Sequence, residues 1–179
     1  MNSINQNQPE ENRQDLRGQQ AKDKIAEFIH KADSCFFCTA TPSSRDSSGA
    51  RPMSVLEVDE EGNLWFLSAS DSYKNREIGL DPSVQLYFQA SSHSGFLHLR
   101  GVASVSRDPE KIHHLWQPLF KTWFTQGEDD PRITAIKVTP EEGYYWDNKH
   151  GNFVAGIKML LGAAVGKTLD DSIEGKLEV

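Results

Sequence analysis

Two short segments of the sequence hold the residue types that bind a phosphate group. The first begins with Arg51, at the start of an apolar, β-prone stretch, and the second carries Ser68, Ser72 and Lys74. A guanidinium fork, an ammonium and hydroxyl donors in one small space match the oxygens of a terminal phosphate. Lys74 also lies near the start of a short predicted helix, whose first N–H groups favour an anion. These four side chains predict a phosphate-binding site.

Pro52 indicates where the first of these segments lies in a sheet. Proline has no backbone N–H and is confined to strand starts, bulges and edge strands. An edge strand leaves backbone donors and acceptors unpaired, and a planar heterocycle with its own donors and acceptors can satisfy them. The alternative is that Arg51 and Lys74 are solvated surface charges and the serines are ordinary loop residues. Residue types alone leave both interpretations open.

Two other motifs suggest different chemistry, which their surroundings disfavour. Cys35 and Cys38 have the spacing of a redox pair, but residues three apart in a strand point to opposite faces. We interpret both as buried thiols, and no second Cys/His cluster is spaced for zinc. Residues 162–168 have three residues between their glycines where a P-loop has four, so nucleotide hydrolysis is not predicted.

The composition limits the partners of this 179-residue chain. It is 37% hydrophobic and 25% charged, and its formal net charge of −7 argues against nucleic acid or an anionic membrane as a partner. No segment approaches the roughly 20 apolar residues of a membrane span. Residues 1–20 lack the apolar core of a signal peptide. We therefore expect a cytoplasmic protein.

A mainly β, α+β fold must position the predicted site. Six strands are predicted at residues 35–41, 50–58, 63–69, 84–90, 96–106 and 133–138, with an extension or return at 143–146. Helices are predicted at residues 21–32, 74–80, 108–120 and 153–165. Consecutive strands with few helices between them favour an antiparallel barrel with flanking helices. One domain is predicted at residues 21–167, between a flexible tail at 1–20 and a C-terminal tail at 168–179.

The order and spacing of these segments resemble those of the pyridoxamine 5′-phosphate oxidase-like flavoproteins, above all their bacterial general stress protein group. The resemblance covers residues 21–167 and rests on Arg51-Pro52-Met53, Trp65-Phe66, Lys74 before Glu77-Ile78, residues 81–84 and Tyr145-Trp146-Asp147. It implies a split β-barrel homodimer that binds flavin mononucleotide (FMN) at the dimer interface.

The resemblance also assigns roles to single residues. Arg51 and Lys74 would hold the flavin phosphate, assisted by Ser68 and Ser72. The flavin ring would lie along the strand segment formed by Pro52, Met53, Ser54 and Val55, with Leu67 nearby. Trp116 and Trp146 are candidates for the aromatic residues that a second subunit contributes, with core packing as the alternative role for each.

The substrate half of the family pattern is missing from this chain. The oxidase that names the family has a substrate-phosphate lysine where this chain has Leu56, and a flavin-contacting glutamine where it has Phe96. Its C-terminal Arg-x-His motif has no counterpart in residues 149–165. Vitamin B6 oxidation is therefore not predicted, and no catalytic residue is identified.

Three functions stay open at this point. The first is an oxidoreductase that passes hydride between a nicotinamide or small substrate and bound FMN. The second is a non-catalytic, flavin-binding stress or sensor protein. The third is a deazaflavin or haem binder on the same barrel, and haem would require an axial ligand such as His93, His98 or His150.

Overall fold

The computed structural model describes residues 12–40, 48–90, 95–149 and 171–179. The strands are β1 Leu16–Arg17, β2 Ser34–Thr39, β3 Ala50–Ser54, β4 Glu57–Val58, β5 Leu64–Ala69, β6 Ser83–Gln89, β7 Phe96–Ser106, β8 Ile133–Asn148 and β9 Ser172–Glu178. The helices are α1 Gln19–Ala32, α2 Tyr73–Leu80 and α3 Pro109–Leu115, and two 3-10 turns follow at Pro118–Thr122 and Gly127–Asp129. The predicted α+β class, mainly β, is confirmed.

One sheet contains all the described strands. Its main path runs β1-β9-β8-β7-β6-β2-β3, and β5 pairs with both β4 and β8. Strand β8 changes neighbours along its length, because its first residues pair with β5 and its last residues pair with β9. The change coincides with a register shift in β7 at Arg100/Gly101. A Cβ on Gly101 would lie 2.3 Å from the Thr139 carbonyl oxygen, so the chain requires glycine here.

The strand count differs from the predicted six for local reasons. The predicted strand at 50–58 is two strands, because the chain leaves β2 after Ser54 and pairs with β5 from Glu57. The predicted segments at 133–138 and 143–146 are parts of one continuous strand, β8. Alternation of apolar residues identifies the strands but does not reveal where a strand changes its partner.

The helix predicted at residues 108–120 is shorter in the structure. Asp108 caps α3, and its carboxylate accepts from the backbone N–H groups of Glu110 and Lys111. The helix ends at Leu115 because Pro118 disfavours a helical conformation at the residue before it. The chain continues as a 3-10 turn. The helix predicted at residues 153–165 and the glycine-rich segment at 162–168 lie outside the described residues.

Residues near the two termini pair with each other. Strand β1 is parallel to β9, with Leu16 opposite Leu177, and Arg13 forms a bridge with Glu174. Parts of the segments predicted as tails therefore lie in the sheet. A two-residue strand carries no detectable periodicity, which is why the sequence did not predict this pair.

The core has two parts. In the larger part, α1 packs Ile25, Phe28 and Ile29 against the inner face of the sheet, where Phe37 and Phe66 make an edge-to-face contact. The smaller part lies beneath α3 and the 3-10 turns, and its buried members are Ile112, Leu115, Phe124, Ile133 and Ala135. Among the described residues, no helix is both long and apolar enough to cross a membrane.

Candidate functional site

A cleft of about 400 Å³ lies between β3, the end of β5, the start of α2 and the turn after α3. Its volume is within the range of small-molecule sites. It brings together six of the predicted site residues, which are Pro52, Met53, Ser54, Leu67, Ser68 and Lys74. The other residues that line it are Leu56, Ala69, Phe120, Trp123 and Phe124.

Lys74 is a half-buried cation that forms no ion pair with any described residue. Its ammonium makes no hydrogen bond and no ion pair with any of them. Burial lowers the pKa of Lys74, and the positive charge of Arg51 lowers it further, against the opposing effect of Asp71 and Glu77. A desolvated ammonium beside a second cation favours an anion in the cleft.

Arg51 lies beside the cleft, and its guanidinium is bound to a buried carboxylate. The Nη1 and Nη2 groups donate to Oε2 of Glu77 at 2.9 and 2.8 Å, and Nη1 also donates to Oγ1 of Thr39 at 3.2 Å. The Thr39 hydroxyl donates to the same Glu77 oxygen at 2.6 Å. Glu77 is fully buried. These contacts fix the guanidinium near Lys74, whereas the contact of Arg51 with a phosphate stays a prediction.

A hydrogen-bond network fixes the two predicted serines. Ser72 is the N-cap of α2, and its Oγ lies 3.2 Å from Oγ of Ser68. The Ser68 hydroxyl donates to Oδ1 of Asn75 at 2.9 Å, and Nδ2 of Asn75 donates to Oγ1 of Thr134 at 2.8 Å. Ser68 lines the cleft, and Ser72 orients the helix that carries Lys74. Asn75 and Thr134 were not predicted as site residues, because no local pattern distinguishes them from ordinary loop and strand residues.

Three predicted residues lie away from the cleft in this chain. Val55 packs against the larger core. Trp116 packs against Phe120 and Phe124 with ring centroids 5.8 and 6.4 Å away, in agreement with the alternative of core packing. Trp146 is exposed on β8 and lines a separate hollow of about 610 Å³. A contribution of either tryptophan to a partner's site stays a prediction.

None of the aromatic residues that line the cleft was predicted as a site residue from the sequence. Phe120, Trp123 and Phe124, named here the aromatic wall, come from the turn after α3. The high aromatic content of residues 115–124 is the signal that could have identified them. Leu56 also lines the cleft, at the position where the related oxidase has its substrate-phosphate lysine.

Neither the cysteines nor the described histidines form a reactive centre. Both thiols are unbridged, and burial raises the pKa of the buried Cys35 to about 12 and also raises the pKa of the half-buried Cys38. His98 stacks on Tyr87 with ring centroids 4.5 Å apart, and its Nε2 lies 3.0 Å from Gln85 Oε1. His93 and His150 lie outside the described residues. Within the described ranges, no group of three His, Cys, Asp or Glu could hold a metal ion.

Similar proteins with known folds share this architecture. A candidate general stress protein 26 from Jannaschia sp. CCS1 is 20% identical, with a TM-score of 0.70, and the match covers 88% of this chain and 99% of that one. The general stress FMN/FAD binding protein of Xanthomonas citri is 21% identical, with a TM-score of 0.61, and the match covers 73% and 93% of the two chains. At these identities the similarity establishes the split-barrel fold alone.

Sequence similarity identifies the family. The protein bli-3 of Neurospora crassa is 24% identical over 105 residues, which are 54% of this chain. The chain matches about half the length of this curated relative, 50%. The family described as pyridoxamine 5′-phosphate oxidase like matches residues 20–170, nearly the same span as the domain predicted at 21–167, whose bounds stay a prediction. The chain therefore belongs to the pyridoxamine 5′-phosphate oxidase-like family.

Proposed function

We propose that the protein binds FMN in the cleft and works as an FMN-dependent oxidoreductase. The observation that carries this proposal is Lys74, a half-buried ammonium in a cleft where no described residue pairs with it. The FMN phosphate would supply the missing anion. The FMN/FAD-binding name of the Xanthomonas citri protein supports a flavin as the ligand, and the phosphate-binding residue types favour the mononucleotide.

The residues of the cleft fit the two ends of FMN. Lys74 and Ser68 would hold the phosphate, with Arg51 beside them and Ser72 at the N-cap of α2. The ring would lie along Pro52, Met53 and Ser54, with Leu67 beside it. The apolar side chains there would exclude water from the ring.

Bound flavin supplies hydride transfer, and the protein supplies binding, orientation and access. Among the described residues that line the cleft, none is a carboxylic acid or a histidine, so this chain's own contribution is to position the ring and hold its phosphate. Leu56 offers no charge for a second phosphate, which supports a substrate other than a vitamin B6 phosphate. A nicotinamide or another small molecule is the electron donor in this proposal.

We also propose a homodimer, on the basis of an exposed aromatic face on the sheet. Residues directly opposite each other on paired strands point to the same side, and Phe36 lies opposite Tyr87, which lies opposite His98. Phe36, Tyr87 and Trp146 are 60%, 45% and 43% exposed. Pro52 lies opposite Phe36 and lines the cleft, so this face extends to the cleft's edge. A second copy on this face would complete the flavin site.

The net charge and the cysteines support two further proposals, one about nucleic acid as a partner and one about the cellular compartment. A net charge of −7 supports the absence of nucleic acid among the partners. Both thiols are unbridged, which supports a reducing compartment such as the cytoplasm.

Absorbance and stopped-flow measurements test the proposal. We expect the purified protein to show flavin bands, or to acquire them with added FMN. Anaerobic addition of reduced nicotinamide should then bleach these bands within seconds. Bands that persist would favour the alternative of a non-catalytic flavin-binding protein, and a colourless protein that fails to bind FMN would refute both. Light scattering tests the homodimer, which a monomer would contradict.

A further inference from the structure

Trp123 is a large aromatic side chain exposed at the mouth of the cleft. It is 61% exposed, and it lines the cleft together with Phe120 and the buried Phe124. Leu56 and Met53 line the cleft as well, whereas Lys74 and Ser68 supply a polar region. The cleft therefore has a cationic part and an aromatic part. A ligand with a phosphate and a planar ring matches this division.

The backbone under Trp123 is held in place before any ligand binds. The Trp123 N–H donates to the Phe120 carbonyl oxygen at 3.0 Å, and the Trp123 carbonyl oxygen accepts from Nη2 of Arg132 at 3.3 Å. Asp130 in turn accepts from Nη2 of Arg132 at 2.8 Å. The guanidinium of Arg132 also lies 5.9 Å from the ring centroid of Phe124. A residue whose backbone is fixed before binding loses less conformational entropy when its side chain contacts a ligand.

We propose that Trp123 contacts the flavin ring and comes from the same subunit as Lys74. The inference rests on the proposed function, and it assigns the ring-binding aromatic residue to the turn after α3 rather than to Trp116 or Trp146. Trp116 is packed in the smaller core, and Trp146 lies in a different hollow. An indole offers a flat apolar surface of the size that a fused aromatic ring system needs.

Titration of the protein with FMN and with riboflavin tests this inference. We expect Trp123→Leu to weaken both flavins by about tenfold, the size of effect that a single aromatic contact supplies. We also expect it to increase the fluorescence of bound FMN, because an adjacent indole quenches flavin emission. Trp123→Phe should retain most of the affinity. Leu119→Ala is the control, since it removes another exposed apolar side chain from the same turn, away from the cleft, and should change neither quantity.

The outcomes separate the inference from the function on which it rests. Wild-type protein that binds neither flavin would refute the proposed function and the inference with it. Wild-type protein that binds FMN, with unchanged affinity and emission in Trp123→Leu, would overturn the inference alone. Equal losses in Trp123→Leu and Leu119→Ala would also overturn it. The exposure of Trp123 makes misfolding of the leucine variant unexpected, and Trp123→Phe provides a second test if it occurs.

Discussion

Replacement of Lys74 by methionine should have opposite effects on FMN affinity and on the stability of the protein without flavin. Methionine keeps an unbranched apolar side chain and removes the charge. A charge-assisted hydrogen bond contributes about 1.5–3 kcal/mol, so FMN affinity should fall about 10- to 150-fold. Riboflavin lacks the phosphate and should bind the variant as well as it binds the wild type.

The stability effect follows from the lowered pKa of Lys74. Burial and the charge of Arg51 disfavour the protonated ammonium in the folded state, so at neutral pH this group opposes folding. Lys74→Met should therefore raise the melting temperature of the flavin-free protein. Because the pKa of Lys74 is lowered, its ammonium loses its proton at a lower pH than an ordinary lysine does. FMN affinity should therefore decline as the pH rises through that range, and Lys74→Met should not show this decline.

Fluorescence titration and differential scanning calorimetry measure these two quantities. Lys121→Met is a suitable control because Lys121 is exposed on the turn next to the aromatic wall. It changes the net charge equally without altering the cleft. Equal loss of FMN and riboflavin affinity in Lys74→Met would refute the assignment of Lys74 to the phosphate. A lower melting temperature would refute the argument that its charge is uncompensated.

Three further substitutions test the structure around the site. Glu77→Gln should lower the free energy of unfolding by about 3 kcal/mol in urea titrations, because it removes the buried carboxylate that accepts from Arg51 and Thr39. Glu142→Gln, in an exposed pair with Arg100, should change it little, and equal effects would contradict the buried pair. Arg132 holds the pKa of Asp130 at about 2, so stability from this pair is present above pH 4 and is lost between about pH 4 and 2. The urea midpoint of Asp130→Asn should thus fall less over that interval than that of the wild type, and parallel curves would contradict the pair. Gly175→Ala should increase hydrogen exchange in residues 12–17, because the new Cβ would lie 1.8 Å from the Gln14 carbonyl oxygen. Gly79→Ala is the control: its Cβ would have no neighbour within 4 Å, so exchange in residues 12–17 should stay unchanged.

Residue types predicted the polar residues of the cleft better than its aromatic residues. Lysine and serine near a helix start have a narrow set of uses, and Ser68 and Lys74, which residue types predicted, both line the cleft. The other four predicted residues that line it, Pro52, Met53, Ser54 and Leu67, were predicted from the family resemblance. Tryptophan has no such restriction, because it serves equally well in a core and at a surface. Trp116 and Trp123 cannot be distinguished by spacing. Trp116 directly follows α3 and packs in the smaller core, whereas Trp123 follows the 3-10 turn that begins at Pro118 and lines the cleft.

The fold was predictable where local patterns persist over several residues. Alternation in residues 84–90 and 96–106 identified β6 and β7. The partner of each strand is set by tertiary contacts, so the exchange of neighbours along β8 was not predicted. The pair formed by β1 and β9 joins residues more than 150 positions apart, and no local signal reports such a contact.

The two ends of the main sheet path are poorly suited to pairing with a strand of another molecule. At one end, β3 carries Pro52, which has no N–H to offer an incoming strand. At the other end, β1 has only two residues, and Arg17 forms an ion pair with Glu178 beside it. Short, charged or proline-containing edges prevent a sheet from extending into a neighbouring molecule. In the proposed homodimer the exposed aromatic face would therefore form the contact, which would give a closed pair rather than a growing fibre.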